Sequence, residues 1–184
     1  MIILTAGHTG PNSGAQCATT QFDEGAENIW LRNRIAEILT NDYGLVVLVD
    51  EDKATLQLVK KRIELDAPHI DFVIDLHFNA HSNPNARGTE AIVADDATTL
   101  ELRFASHLAH ATSDALDIPL RCIKSESQTP HRRLAMLHLT PQSIILEVCF
   151  CTSPEDVEAY RKNREKLAAE LAWAIAELIL DRET

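Results

Sequence analysis

The sequence predicts a single-domain α/β fold over residues 1–184, with a mostly parallel, twisted sheet and helices on both faces. Three observations predict it. Short apolar runs alternate with longer stretches whose apolar residues recur at helical spacing, the order of strand–helix–strand units. The strand-like runs are continuously apolar, as in a sheet covered on both sides; Leu45-Val46-Val47-Leu48-Val49 is the plainest. A chain of 184 residues, 45% hydrophobic, suffices for one core, and no repeat or linker-like stretch divides it.

The elements follow in order. Ile2-Ile3-Leu4 reads as a buried strand running into Ala6-Gly7-His8, and Thr9-Gly10-Pro11-Asn12-Ser13-Gly14 as a turn-rich loop. From about Asn28, Ile29, Leu31, Ile35, Ile38 and Leu39 mark a first helix that ends at Gly44. The strand 45–49 is followed by a helix carrying Leu56, Val59 and Ile63 and closed by Pro68. Phe72-Val73-Ile74-Asp75-Leu76-His77 and Thr89-Glu90-Ala91-Ile92-Val93 read as strands. A third helix spans about Thr98 to Ala115, with Leu100, Phe104, His107, Leu108 and Ala111 inward. Residues 119–142 are the least regular, with a short helical turn near Leu134 to Leu137. Ser143-Ile144-Ile145-Leu146-Glu147-Val148 is the last strand. Ser153 then supplies a cap and Pro154 the first helical residue of a terminal helix striped by Leu167, Leu171, Ile175 and Leu178.

Composition narrows the partners. Seventeen Lys plus Arg against 28 Asp plus Glu give a formal charge of −11, which repels nucleic acid and anionic membranes. The N-terminus lacks the basic start and long apolar stretch of a signal peptide, and no run reaches the roughly 20 apolar residues of a membrane span. The expectation is a soluble chain made in the cytoplasm. Cys17, Cys122, Cys149 and Cys151 form no C-x-x-C pair, which argues against a zinc knuckle or a thioredoxin-like motif. Cys149 and Cys151 read as small buried hydrophobes pointing the same way as Glu147.

The chemistry gathers at strand ends. His8, His77 and Glu147 each emerge at or just past the end of a greasy strand, where open α/β sheets collect their ligand sites. Glu24 reaches the same crevice from the loop before the first helix. Two imidazoles and a carboxylate make three of the four ligands of a catalytic zinc, and a further carboxylate can move a proton. Asp23 and Glu27 compete locally with Glu24, and His81 follows His77 by four residues. Glu27 suits a solvated place in the first helical turn.

The flanking words carry more than the spacing. They are Ala6-Gly7-His8-Thr9-Gly10, Ser13-Gly14-Ala15, Glu24-x-x-x-Asn28, Asp75-Leu76-His77-Phe78-Asn79-Ala80, Arg87-Gly88-Thr89-Glu90, Ile144-Ile145-Leu146-Glu147-Val148-Cys149-Phe150 and Ser153-Pro154-Glu155. In this order they resemble the zinc-dependent N-acetylmuramoyl-L-alanine amidases, a family of cell-division hydrolases, spore-lysis enzymes and phage endolysins. The resemblance runs from His8 to the terminal helix.

It implies that His8, Glu24 and His77 hold one Zn2+ and that Glu147 is the catalytic carboxylate. It places Asn79 along the substrate groove and His131, Arg132 and Arg133 near the stem peptide, with Arg133 the candidate for its carboxylates. The partners implied are peptidoglycan or muropeptides, reached without a wall-binding domain and possible as a prophage lysin's task. Two departures stand out: the family's acidic-plus-Pro pair before Gly-His is Thr5-Ala6 here, and its second loop Gly is Thr9. Only 70 positions separate His77 from Glu147, little room for the helical insertion that covers the zinc in some division-type members, so an open groove is expected. The competing readings are a related zinc exopeptidase or amidohydrolase, and a wall-binding module without catalysis.

Overall fold

The computed structural model describes residues 1–8, 14, 16–17, 19–52, 55–83, 85–139 and 142–181, so all of the turn loop expected at 9–14 except Gly14, Thr9 included, lies outside them. The chain runs β1 (Ile2–Ala6), a small hairpin of β2 (Gln16–Cys17) and β3 (Phe22–Asp23), α1 (Glu24–Tyr43), β4 (Val47–Val49), α2 (Leu56–Asp66), β5 (Phe72–Asn79) and β6 (Thr89–Val93). It continues with α3 (Thr99–Leu116), β7 (Leu120–Ser125), β8 (Ser143–Phe150) and α4 (Pro154–Leu180). Six strands form one sheet in the order β4-β1-β5-β8-β6-β7. All neighbours are parallel except β6 and β8, which pair antiparallel. Among the described residues no helix is long and apolar enough to cross a membrane.

Period-two alternation gives the sheet two unlike faces. Ile2, Leu4, Phe72, Ile74, Leu76, Ile144, Leu146, Ala91 and Val93 all belong to the large core under α1, α3 and α4. Phe72 stacks on Phe104 of α3 with ring centroids 3.9 Å apart. Leu31, Ile35 and Leu39 of α1 are fully buried there, each worth roughly 1.5–3 kcal/mol of apolar transfer. The intervening residues face the other way, where among the described residues α2 and the short 3₁₀ turn Ala135–His138 cover them. There Ile3 and Val73 meet Val59, Ile63 and Met136, while Ile92 and Ile145 meet Leu137. Thr5, Asp75, His77, Asn79 and Glu147 have the parity of this thinly covered face.

The helix ends have local causes. Asp23 caps α1 by accepting from the Ala26 N–H at 3.1 Å, and Gly44 closes it in the left-handed region at φ 67°. Thr98 and Glu101 form a reciprocal capping box on α3. Ser153 caps α4 ahead of Pro154 at the first turn.

Five features differ from the sequence expectation. The strand expected at 45–49 and covered on both sides is the edge strand β4 (Val47–Val49), with Val46 and Val49 exposed. Helix α1 begins at Glu24, not near Asn28, because the Asp23 cap starts it a turn earlier. The β2–β3 hairpin has two residues per strand, too few to show a period. Edge strand β7 mixes Arg121 and Lys124 with apolar residues and pairs on one side only. On β8 a bulge changes the register between His77↔Glu147 and Asn79↔Phe150. That extra residue turns Cys149 away from Glu147 and into the large core with Val148.

Candidate metal centre and active site

The site is assembled at the carboxyl ends of β1, β5 and β8. Strand β1 runs out through Gly7, whose N–H donates to the Leu76 carbonyl at 2.8 Å and whose carbonyl accepts from Asn28 Nδ2 at 2.9 Å. That bond gives the Glu24-x-x-x-Asn28 spacing its meaning: one turn of α1 anchors the chain just before His8. A Cβ on Gly7 would fall 2.2–2.5 Å from the ring of His77, so only glycine lets the imidazole lie across the strand end. His8 then takes φ 58° and remains exposed.

Glu24, the first residue of α1, is 2% exposed, and its Oε1 accepts from the Phe78 N–H at 3.1 Å. The same oxygen lies 3.3 Å from His77 Nδ1. Beneath them Phe22, Phe78 and Tyr160 pack edge to face with centroids 4.7–5.8 Å apart, which ties the hairpin, β5 and α4 together under the site. His8 and His77 stand nearly perpendicular, centroids 4.9 Å apart. One ligand atom from each of His8, Glu24 and His77 lies within 4.8 Å of the others.

The other edge of His77 is also occupied. Its Nε2 lies 3.1 Å from Asp75 Oδ2, and Asp75 Oδ1 accepts from the Thr5 hydroxyl at 2.7 Å. A carboxylate can only accept, so Nε2 donates to Asp75, and Nδ1, which faces the Glu24 carboxylate, is the nitrogen where a bound cation would replace a proton. Thr5 and Asp75 are register partners on β1 and β5. The acid missing at position 5 is thus supplied from the neighbouring strand. Behind them Asp50 accepts from the Ala6 N–H and from buried Arg32 at 2.7 Å.

Glu147 sits opposite His77 in the parallel register, half-buried, with Oε2 buried and making no hydrogen bond. Burial pushes its carboxyl up to about 7; His77 and Lys124 pull it down, while Glu24 and Glu90 push it up. For His77, burial favours the neutral ring, but Asp75, Glu24 and Glu147 outweigh it and hold the imidazole well above the usual histidine range. Three carboxylates around one imidazole make a strongly negative spot that favours a cation. Lys124 pairs with Glu90, which also binds Arg121 and accepts from Asn79 Nδ2 at 3.2 Å.

His8, Asp75, His77, Asn79 and Glu147 line a cavity of about 850 Å³ that also takes in Lys124, His131, Arg133 and Leu134. Asn79 and Arg133 therefore both face it, Asn79 from the end of β5 and Arg133 from the exposed turn after β7. Arg132, at φ 60°, is exposed and lies outside the cavity lining. His81 is exposed and accepts from the Asn83 N–H, outside the ligand group. Asp23 is spent on its cap. Glu27, expected in solvent, instead accepts from Tyr160 Oη at 3.0 Å and pairs with Arg164. The only α-helix between His77 and Glu147 among the described residues is α3, which packs on the far side of the sheet. Sequence reasoning missed Asp75, whose i, i+2 relation to His77 was a usable signal. It also missed Lys124, which became visible only with β7.

The donor set fits a divalent metal. Two imidazoles and a carboxylate converge, and a Cβ on Gly14 (φ 80°) would come within 2.6 Å of His8 Cβ and 2.7 Å of Glu24 Oε2. An α/β sheet with two histidines and a carboxylate at its strand ends, and a second carboxylate at the start of α1, is the framework of a metal-dependent hydrolase. The N-acetylmuramoyl-L-alanine amidase family model matches residues 2–181, and the chain belongs to that family of peptidoglycan-cleaving hydrolases, whose members are typically zinc-dependent. No curated protein gives a significant match. Solved structures do. A Neisseria meningitidis protein assigned as an N-acetylmuramoyl-L-alanine amidase is 25% identical (TM-score 0.79; 97% of this chain and 95% of that one covered). The amidase AmiC2 of Nostoc punctiforme is 20% identical (TM-score 0.79; 97% and 96%). The catalytic domain of the CD27L endolysin targeting Clostridia difficile is 22% identical (TM-score 0.74; 96% and 96%).

Proposed function

We propose that this chain cleaves the amide between the lactyl group of N-acetylmuramic acid and the L-alanine of the stem peptide, with one Zn2+ held by His8, Glu24 and His77. The carrying observation is the placement of Glu147 directly across from His77, beside the ligand group, with one buried carboxylate oxygen making no hydrogen bond. A bound zinc supplies Lewis acidity toward water and the scissile carbonyl.

The protein's own residues do the rest. Glu147 takes the proton of the attacking water and returns it to the departing alanine nitrogen, which suits a carboxyl that burial has raised toward neutrality. Asp75 holds His77 with Nε2 protonated. Asn79, kept in place by Glu90, offers its amide to sugar or peptide carbonyls, and Arg133 offers a cation to the carboxylates of the stem peptide. The substrate is peptidoglycan or its muropeptides, and the site of action is the cell wall. The open cavity supports activity without an activating partner.

The test is digestion of purified sacculi by wild type and Glu147→Gln, with zinc content measured on both. The variant keeps its zinc and loses about 10²–10⁴-fold in rate. Products are glycan strands and intact stem peptides. Release of single amino acids would point to an exopeptidase, and wild-type protein that holds zinc without turnover to a binding module.

A further inference from the structure

We propose that Cys17 and Cys151 form a reversible disulfide that staples the β2–β3 hairpin to the end of β8. Their sulfurs lie 2.7 Å apart across 134 residues of sequence, against about 2.05 Å in the bond. The other two cysteines are engaged elsewhere: Cys149 Sγ points to the Asp156 carbonyl at 4.0 Å, and Cys122 lies on β7 opposite Glu90. The backbone is already set for the link. Thr20 donates its hydroxyl to the Cys151 carbonyl at 2.8 Å, and Arg161 of α4 holds the Thr20 and Gln21 carbonyls at 3.0 and 2.9 Å.

The position gives the bond its consequence. The hairpin leads straight into Glu24, and the Cys151 N–H donates to the Asn79 carbonyl two residues beyond His77. A Cys17–Cys151 bond therefore ties the segment carrying one proposed metal ligand to the strand carrying Glu147. It holds the hairpin that leads into Glu24 against the end of β8. Such a bond is absent while the chain is in a reducing compartment and forms once it reaches an oxidising one.

The oxidant is a disulfide of the glutathione class. Cys17, the half-buried partner, attacks it as thiolate and releases one small thiol; Cys151, fully buried, then attacks the mixed disulfide at Cys17 Sγ and releases the second. The protein dithiol is oxidised, the small disulfide is reduced to two thiols, and both protons leave with those thiols. Burial, reinforced by Cys17, keeps the Cys151 thiol well above the usual cysteine range, which makes the second step the slow one.

The experiment incubates the folded chain in oxidised or reduced glutathione, alkylates free thiols and maps peptides by mass. The expected result is loss of two hydrogens, a peptide pair joining Cys17 to Cys151, full alkylation of Cys122 and Cys149 after unfolding, and reversal by dithiothreitol. The oxidised form melts about 5–15 °C higher. Cys17→Ser, a change at the more accessible partner, abolishes both effects and retains the reduced wild-type Tm. Alkylation of Cys17 and Cys151 in the glutathione-oxidised sample, or a crosslink joining any other pair, would overturn the proposal. Neither readout depends on zinc or on amidase turnover.

Discussion

Asp75→Asn isolates the second carboxylate at His77. In the wild type Thr5 donates to Oδ1 at 2.7 Å and Oδ2 receives His77 Nε2 at 3.1 Å. In the variant the Thr5 hydroxyl keeps the amide oxygen, so the NH2 group turns toward Nε2. Nε2 must then accept, the ring proton moves to Nδ1, and Nδ1 is the nitrogen that faces Glu24 at 3.3 Å. The zinc ligand is lost unless the amide flips and the Thr5 hydroxyl turns to accept from its NH2 group. Removing the group that orients a liganding imidazole weakens metal binding about 10–100-fold, which is about 1.4–2.8 kcal/mol at about 1.4 kcal/mol per tenfold. A competitive titration against a chromophoric chelator reads the zinc Kd, with the Tm of the metal-free proteins as a folding control. Thr5→Val removes the donor that holds the amide oxygen and leaves His77 Nε2 to orient the amide, so the double variant recovers part of the loss. An unchanged Kd in Asp75→Asn would refute the tautomer argument.

Other outcomes follow from the same geometry. Gly14→Ala puts a Cβ at φ 80° against His8 and Glu24, and is expected to cost about 1–2 kcal/mol and most of the bound metal, read by urea unfolding and metal analysis. Arg32→Met leaves Asp50 buried without its cation and lowers stability by about 3–5 kcal/mol in the same assay. Burial pushes the Glu90 carboxyl up, but Lys124 and Arg121 outweigh it and hold it below the usual range. Its contribution is therefore complete above about pH 4.3 and is lost as pH falls through the lower folded value. Lys124→Ala costs about 1.5–3 kcal/mol at pH 7, and the gap to wild type closes in acid; a gap independent of pH would contradict this. Chelation of the metal lowers the Tm of wild type and leaves that of His77→Ala unchanged, as differential scanning calorimetry would show.

Much of the fold was legible because β1, β5 and β8 are continuous apolar runs and α1, α3 and α4 carry long helical stripes. What stayed hidden was short or sat at an edge. The β2–β3 hairpin has no period to read, and β7 trades its apolar residues for Arg121 and Lys124 because it is paired on one side only. The bulge that sends Cys149 into the core depends on register, which composition does not encode. At the site, the four side chains were visible through strand-end position and flanking words, and the structure adds why the neighbours are what they are. Asn28 holds the Gly7 carbonyl, Gly7 makes room for the His77 ring, and Asp75 stands in for an acid expected one strand away. Arg133 and Lys124 both line the cavity, and Lys124 could not be placed there without β7.

Anomalous diffraction at the zinc edge, on crystals of protein purified without chelator, tests the metal centre most directly. The account predicts one peak about 2.0–2.2 Å from a nitrogen of His8, Nδ1 of His77 and an oxygen of Glu24, with Glu147 beside it but not bound. A peak elsewhere, or ligation through a set that leaves out any of those three side chains, would contradict it.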